Sequence, residues 1–236
     1  MKKILTTLCL ASITLGVGAA PDDVPDSVME AARMVSPHGA DAVRPAPLDG
    51  FYELVFGSRI VYVSEDGRYL LVGQLYDTRE GKNLTDQRMN GIRLDMINGV
   101  AGDSMIRFAP DKPRHEVYVF TDTRCGYCRK LHDEVSELNA LGVAVNYLAY
   151  PALSPRSRPD AIAVWCADDR QAAMTRAKTG KTVEPQECAH PVDEHFRLGK
   201  AMGVRGTPAI VLETGELLPG YVPARKLAQQ LEQGGG

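Results

Sequence analysis

Basic stretches, phosphate-cradling glycine loops, internal repeats and low-complexity tracts are all missing from this sequence. Its 27 Lys and Arg face 30 Asp and Glu, for a formal net charge of −3. Nucleic acid and anionic membrane surfaces therefore gain no electrostatic attraction from it. No segment reaches the roughly 20 consecutive apolar residues needed to span a bilayer. Cysteine is also sparse, with five in 236 residues. What is present is an ordinary globular composition, 24% charged and 44% hydrophobic, long enough for one large domain or two modest ones.

The first residues place the chain. Lys2 and Lys3 form a short positive region, Ile4 to Val17 is apolar apart from Thr and Ser, and Val17-Gly18-Ala19-Ala20 offers small residues for cleavage. This pattern predicts a secretory signal peptide over residues 1–20 and an exported, soluble product. A membrane anchor is the competing reading, but the apolar stretch is too short. Cys9 sits too early in it to be a lipoprotein cysteine. Cleavage removes Lys2 and Lys3, so the mature charge becomes about −5 by the same counting.

Export gives the cysteines their meaning. Without Cys9, four remain: Cys125, Cys128, Cys166 and Cys188. An even number in an oxidising compartment argues for disulfides. Of the three connectivities, spacing favours Cys125 with Cys128 and Cys166 with Cys188. The second pair would close a loop of about 23 residues, worth about 3 kcal/mol in the chain-entropy model.

Periodicity organises the rest. Ser27 to Val35 is expected to be a short amphipathic helix capped by Asp26 or Ser27. Pro45 and Pro47 punctuate an extended stretch. Strands follow at Phe51–Phe56, Arg59–Ser64 and Tyr69–Tyr76, joined by Gly57-Ser58 and Glu65-Asp66-Gly67 turns. Thr85 to Val100 reads as a connecting helix with Thr85 as N-cap. From Met105 the pattern alternates. Strands are expected at Met105–Phe108, Glu116–Thr121 and Val143–Tyr150, with a helix over Cys125–Leu141 ended by Gly142. Helical stretches come around Asp160–Cys166, Gln171–Lys178 and Val192–Met202. A hairpin of Ala209–Leu212 with Leu217–Leu218 and a last helix, Ala224–Gln233, complete a thioredoxin-like α/β order.

Within that order, Cys125-Gly126-Tyr127-Cys128 falls just past a buried strand, at a helix start. Free backbone N–H groups and the positive end of the helix dipole stabilise a thiolate there. A thiolate is the nucleophile of disulfide exchange, so Cys125 is expected to be the exposed, acidic thiol. Cys128, one turn on, is placed to resolve the mixed disulfide. Arg124, Arg129 and Lys130 are candidates to add positive potential. Zinc is the competing reading, but His190 and His195 fit no standard ligand spacing with Cys166 and Cys188. A purely structural Cys125–Cys128 link would close too small a loop to stabilise anything. No metal and no cofactor is expected. His38, His115, His132, His190 and His195 read as ordinary surface or satisfied residues.

Gly206-Thr207-Pro208-Ala209 precedes a strand. In a thioredoxin-like fold, such a Pro lies opposite the dithiol after a cis peptide bond, leaving the Thr207 backbone free to pair with an extended substrate. The alternative is a trans Pro opening an edge strand.

Several segments together carry a specific resemblance. They are Phe120-Thr121-Asp122, Cys125-Gly126-Tyr127-Cys128, Lys130-Leu131-His132, Val164-Trp165-Cys166-Ala167, Gly206-Thr207-Pro208-Ala209 and Pro219-Gly220-Tyr221, with Pro45-Ala46-Pro47 and Tyr76-Asp77 earlier on. In this order they resemble the DsbC-type periplasmic disulfide isomerases of the thioredoxin superfamily. The resemblance implies a small α+β dimerisation domain at 21–80, a helical linker at 81–103 and a thioredoxin-like domain with a helical insertion at 104–236. It implies a V-shaped homodimer with an apolar cleft, catalytic Cys125 and Cys128, and substrate contacts at Thr207, Pro208, Gly126 and Tyr127. Its partners would be misoxidised exported proteins and a membrane thiol reductase of the DsbD type. A DsbG-like thiol reductase and chaperone protecting single cysteines is the nearest alternative. One departure from the wider superfamily stands out. Thioredoxin and the oxidase DsbA carry a buried acid six residues before the first active cysteine, where this chain has Val119. That leaves Cys128 without an assigned proton acceptor.

Overall fold

A computed structural model of the chain describes residues 24–234. The expected signal peptide lies outside the described residues. The first unit begins with α1 (Asp26–Val35), followed by β1 (Ala42–Pro45), β2 (Phe51–Phe56), β3 (Arg59–Ser64) and β4 (Leu70–Leu71). These four strands make one antiparallel sheet in that order. A second small hairpin, β5 (Tyr76–Asp77) with β6 (Lys82–Asn83), leads into α2 (Leu84–Asn98).

Both faces of the four-stranded sheet are covered. Val28 and Ala32 of α1 pack on Leu54, Val61 and Val63. On the other face Val55, Ile60 and Tyr62 meet Met89 and Ile92 of α2. The linker helix is therefore a roof as well as a connection. Glu53, on β2 and almost wholly buried, fixes it there by pairing with Arg44 at 2.8 Å and with Arg88 of α2 at 2.9 Å. A buried carboxylate is tolerable because two guanidinium groups neutralise it. Further along the same helix, Ile97 is buried in the second unit, with Met96 packed beside it.

Several expectations for this region need correction. Neither Asp26 nor Ser27 caps α1; the N-cap is Pro25, without a side-chain bond, and the Ser27 hydroxyl donates to the Glu65 carbonyl at 2.6 Å. The stretch before Pro47 forms strand β1, because the Pro45 ring occupies the last edge position and removes no needed donor. The single strand expected over Tyr69–Tyr76 is two short ones, β4 and β5. Asn83 rather than Thr85 caps α2, accepting from Asp86 N at 3.1 Å. Thr85 is buried instead, its hydroxyl 2.5 Å from that of Tyr62.

The second unit is a five-stranded sheet ordered β11-β10-β8-β9-β7. Its strands are β7 (Ile106–Phe108), β8 (His115–Thr121), β9 (Val143–Ala149), β10 (Ala209–Leu212) and β11 (Leu217–Pro219). Only β8 and β9 run parallel. All seven residues of β9 are buried, as expected of a strand covered by helices on both faces. Leu131, Val135, Leu138, Trp165, Met174 and Leu227 fill one side of the sheet. Phe120, Leu148, Tyr150, Met202 and Val211 fill the other. The helices are α3 (Gly126–Asp133), α4 (Val135–Ala140), α5 (Ser157–Trp165), α6 (Arg170–Lys178), α7 (Val192–Ala201) and α8 (Ala224–Gly234). Gly199 lets α7 lie directly on β9's end, since a Cβ there would come within 2.7 Å of the Tyr150 ring.

The one helix expected over Cys125–Leu141 is interrupted at Glu134, giving α3 and α4. The Glu134 carboxylate accepts from the Tyr221 hydroxyl and, at 2.7 Å, from the backbone N–H of Ala224, the first residue of α8. An anion at a helix start satisfies an otherwise orphaned amide. This tertiary bond outweighs continuity of the helix. Gly142, with φ 80°, ends α4 as expected.

Candidate active site

The site is assembled where β8 gives way to α3. Asp122 shapes the turn between them. One carboxylate oxygen accepts from Arg124 N at 2.8 Å, and the other from Ala152 N and Leu153 N, both at 3.1 Å. The Asp122 carbonyl in turn accepts from Cys125 N at 3.2 Å. The residue thus ties the active-site turn to the loop that follows β9.

Cys125 is the N-cap of α3, and its sulfur accepts from Cys128 N at 3.3 Å. Across from it the chain crosses between α7 and β10 through a cis Thr207–Pro208 bond, the geometry a thioredoxin-like order implies. As a thiol, Cys125 donates to the Thr207 carbonyl at 3.1 Å. The Thr207 hydroxyl is buried, with no hydrogen-bond partner among the described residues.

The two thiols have opposite acidities. Cys125 falls to about 5, chiefly because the Cys128 thiol donates to its thiolate. Burial opposes this, and Thr207 with the backbone N–H groups of Cys128 and Tyr127 adds to it. Burial pushes Cys128 strongly upward, and the bond to Cys125 adds to the rise. Cys125 is therefore the sulfur that favours the thiolate and Cys128 the one that stays a thiol.

Two expectations about the site change. Cys125 is not an exposed thiol, at 5% of its surface against 0% for Cys128, because the Thr207–Pro208 turn lies over it. The basic neighbours do not set its acidity either. Arg124 is paired with Asp160 at 2.6 Å, Arg129 donates to the Thr123 carbonyl at 3.2 Å, and Lys130 lies 4.6 Å from the Tyr221 ring centre. Each of these charges is spent on a structural partner.

Gly126 and Tyr127 stand at the outer edge of the site. Tyr127 is 66% exposed and stacks on Tyr221, ring centres 6.5 Å apart. Beside the Thr207–Pro208 turn runs a groove of about 340 Å³, lined by residues that include Arg93, Val204, Leu217 and Pro219. Cys166 and Cys188 are bonded to each other with an S–S length of 2.06 Å, joining the end of α5 to the segment after α6. Among the described residues, no three His, Cys, Asp or Glu side chains converge as a metal would require.

The histidines are mostly satisfied. His132 is buried between the Tyr147 hydroxyl at 3.0 Å and the Thr175 hydroxyl at 3.1 Å. His195 lies 3.2 Å from the Ser104 hydroxyl and 3.3 Å from Ala149 N. Burial holds both near 4 and therefore neutral at pH 7. His115 lies 2.7 Å from the Glu213 carboxylate. His190 departs from the expectation, its buried Nδ1 having no partner among the described residues. Sequence reasoning gave no role to Asp122, Glu134 or Lys178. Each acts on an element distant in the chain, and no local spacing announces such contacts.

Residues 102–235 match the family described as a thioredoxin-like domain, and residues 33–86 match the disulfide bond isomerase protein N-terminal domain. The thiol:disulfide interchange protein DsbC of Dickeya dadantii is 35% identical over 98% of this chain and 96% of its own length. That of Escherichia coli K12 is 35% identical over 81% of this chain and 80% of its own. Among solved structures, a disulfide interchange protein from Neisseria gonorrhoeae superposes with a TM-score of 0.51 at 28% identity. That match covers 57% of this chain and 97% of the other. With both of its units matched and whole-length relatives above 30% identity, the chain belongs to the DsbC family of thiol:disulfide interchange proteins.

Proposed function

We propose that the protein is a disulfide isomerase acting on misoxidised exported proteins, with Cys125 as attacking thiolate and Cys128 as resolving thiol. The observation that carries this is a pair of sulfurs three residues apart at the start of α3, set under the Thr207–Pro208 turn and of opposite acidity. Cys125 attacks a client disulfide, forming a mixed disulfide and releasing one client thiolate. A second client thiol then either displaces Cys125, completing a rearrangement, or Cys128 displaces the client and leaves it reduced. Thr207 and Pro208 hold the client chain, and Gly126 and Tyr127 flank it.

The reading extends to assembly and place. Residues 21–80, 81–103 and 104–236 act as dimerisation domain, linker and catalytic domain, a division that the matched ranges support. β4 is an edge strand, and Tyr69, Leu70, Leu71 and Val72 on and beside it are exposed. An open apolar edge is a template for pairing with a second copy. Such a homodimer sets two Cys125 sites before one client and raises the effective concentration of the second. The periplasm is the compartment, and a membrane thiol reductase of the DsbD type restores the dithiol.

Refolding of a scrambled disulfide client tests the reading. The reduced protein is expected to restore client activity, and Leu70→Lys with Val72→Lys to yield monomers that reduce disulfides but isomerise poorly. Full isomerase activity in a monomer at micromolar concentration would separate the edge from the activity.

A further inference from the structure

Lys178, the last residue of α6, is 2% exposed, a rare position for an ammonium group. Its Nζ donates to the Thr121 hydroxyl at 2.6 Å and to the Asp122 carbonyl at 2.9 Å. Thr121 ends β8, and both its side chain and the Lys178 charge favour the Cys128 thiolate. The amine is thus anchored to the last residue of β8 and to the turn that leads into Cys125 and Cys128. This is the region in which a buried acid would serve, and Val119 removes it.

We propose that Lys178, working through the Thr121 hydroxyl, takes the proton of Cys128 when the mixed disulfide is resolved. The inference rests on the assignment of Cys128 as resolving thiol. In the step, Thr121 passes its hydroxyl proton to the neutral Lys178 amine and receives the Cys128 thiol proton. The Cys128 thiolate then attacks Cys125 Sγ. A Cys125–Cys128 bond forms, the Cys125–client bond breaks, and its electron pair leaves on the client sulfur, which is protonated by water. The cysteine pair is oxidised by two electrons and the client reduced by two.

The surroundings time this transfer. Facing Lys178 are Cys128 and Arg129 from α3, Cys125 at its cap, Asp122 from the turn, His132 on α3, and the Tyr147 ring of β9 at 5.8 Å. Burial lowers Lys178 to about 8, against the opposing pull of Cys128, Asp122 and Cys125. Once Cys125 is bonded to a client its negative charge is gone, so one of the groups holding the proton on Lys178 disappears. The same event removes the bond to Cys125 that had added to the effect of burial in keeping Cys128 protonated. Cys128 is therefore easier to ionise at the moment the thiolate is needed, and more of Lys178 is neutral and open to a proton.

The full-length protein can be tested with dithionitrobenzoate, which releases one thionitrobenzoate as Cys125 attacks and a second as Cys128 resolves. In the unaltered protein the second phase should quicken with pH, with an inflection near 8. Lys178→Met should slow that phase by about a hundredfold at pH 7 and abolish the inflection, leaving the first phase little changed. Lys178→Arg keeps the charge but cannot give up its proton, and should be slow as well. A Lys178→Met protein with an unchanged second phase, or a Lys178→Arg protein at full speed, would overturn the proposal. If Lys178→Met does not fold, Thr121→Val with Thr121→Ser carries the test. A slow Val variant beside a normal Ser variant supports the relay, and a normal Val variant overturns it. A wild-type protein with no first phase would instead undo the assignment of Cys125.

Discussion

Two pairs of cysteines share this chain and have different uses. Cys125 and Cys128 are separated by one helical turn, and their surroundings drive one sulfur toward the thiolate and the other toward the thiol. Cys166 and Cys188, 22 apart in sequence, join two segments that would otherwise separate on unfolding. The first pair restrains almost no chain, so its bond can open and close without disturbing the fold. The second restrains a long loop, and its value lies in staying closed. Loop length and local field, more than the sulfur itself, divide reactivity from structure.

The comparison can be broken most directly at Cys125. Replacing it with Ser should abolish exchange, whereas Cys128→Ser should retain attack and accumulate mixed disulfides, visible as client adducts on non-reducing gels. Adducts held by Cys128 in a Cys125→Ser protein would reverse the two roles.

Next in size is the second pair. Cys166→Ala with Cys188→Ala should lower unfolding free energy by about 3 kcal/mol in denaturant titrations and leave the rate of Cys125 attack essentially unchanged. A large loss of exchange per folded molecule would show that the two pairs are not separable.

A third test is a pH dependence confined to the first pair. The folded value of Cys125, about 5, lies below that of an ordinary thiol. Its thiolate therefore stabilises the reduced folded protein fully above the ordinary thiol value, and this contribution is lost as pH falls toward about 5. The oxidised protein has no such group to titrate. The difference in stability between reduced and oxidised forms should narrow from pH 9 to 5 along a curve that Cys125→Ser removes. A stabilised reduced state also makes the disulfide the more oxidising form. An unchanged difference across that range would mean that the thiolate gains nothing from folding.

What was legible in the sequence followed the range of the forces involved. The Cys125–Cys128 spacing, the Gly142 stop and the Phe51–Phe56 and Arg59–Ser64 strands depend on neighbours within a few residues, and these emerge at their expected places. The break at Glu134 was hidden because its cause is an amide 90 residues onward. Lys178 was hidden for the same reason: an α6 read by pattern alone would turn this residue to water, and only Thr121 and Asp122, over 50 residues earlier, explain its burial. Exposure of Cys125 was overestimated because the turn that covers it arrives from a distant segment.

The position of α2 has a thermodynamic consequence. Met89 and Ile92 belong to one core, and Ile97 with Met96 to the other, along a single continuous helix. Neither core is complete without its share of that helix, so fraying at either end exposes apolar surface in the unit it serves. Heat should therefore melt the two units as one cooperative transition, with a calorimetric enthalpy matching the van't Hoff value, despite their separate sheets.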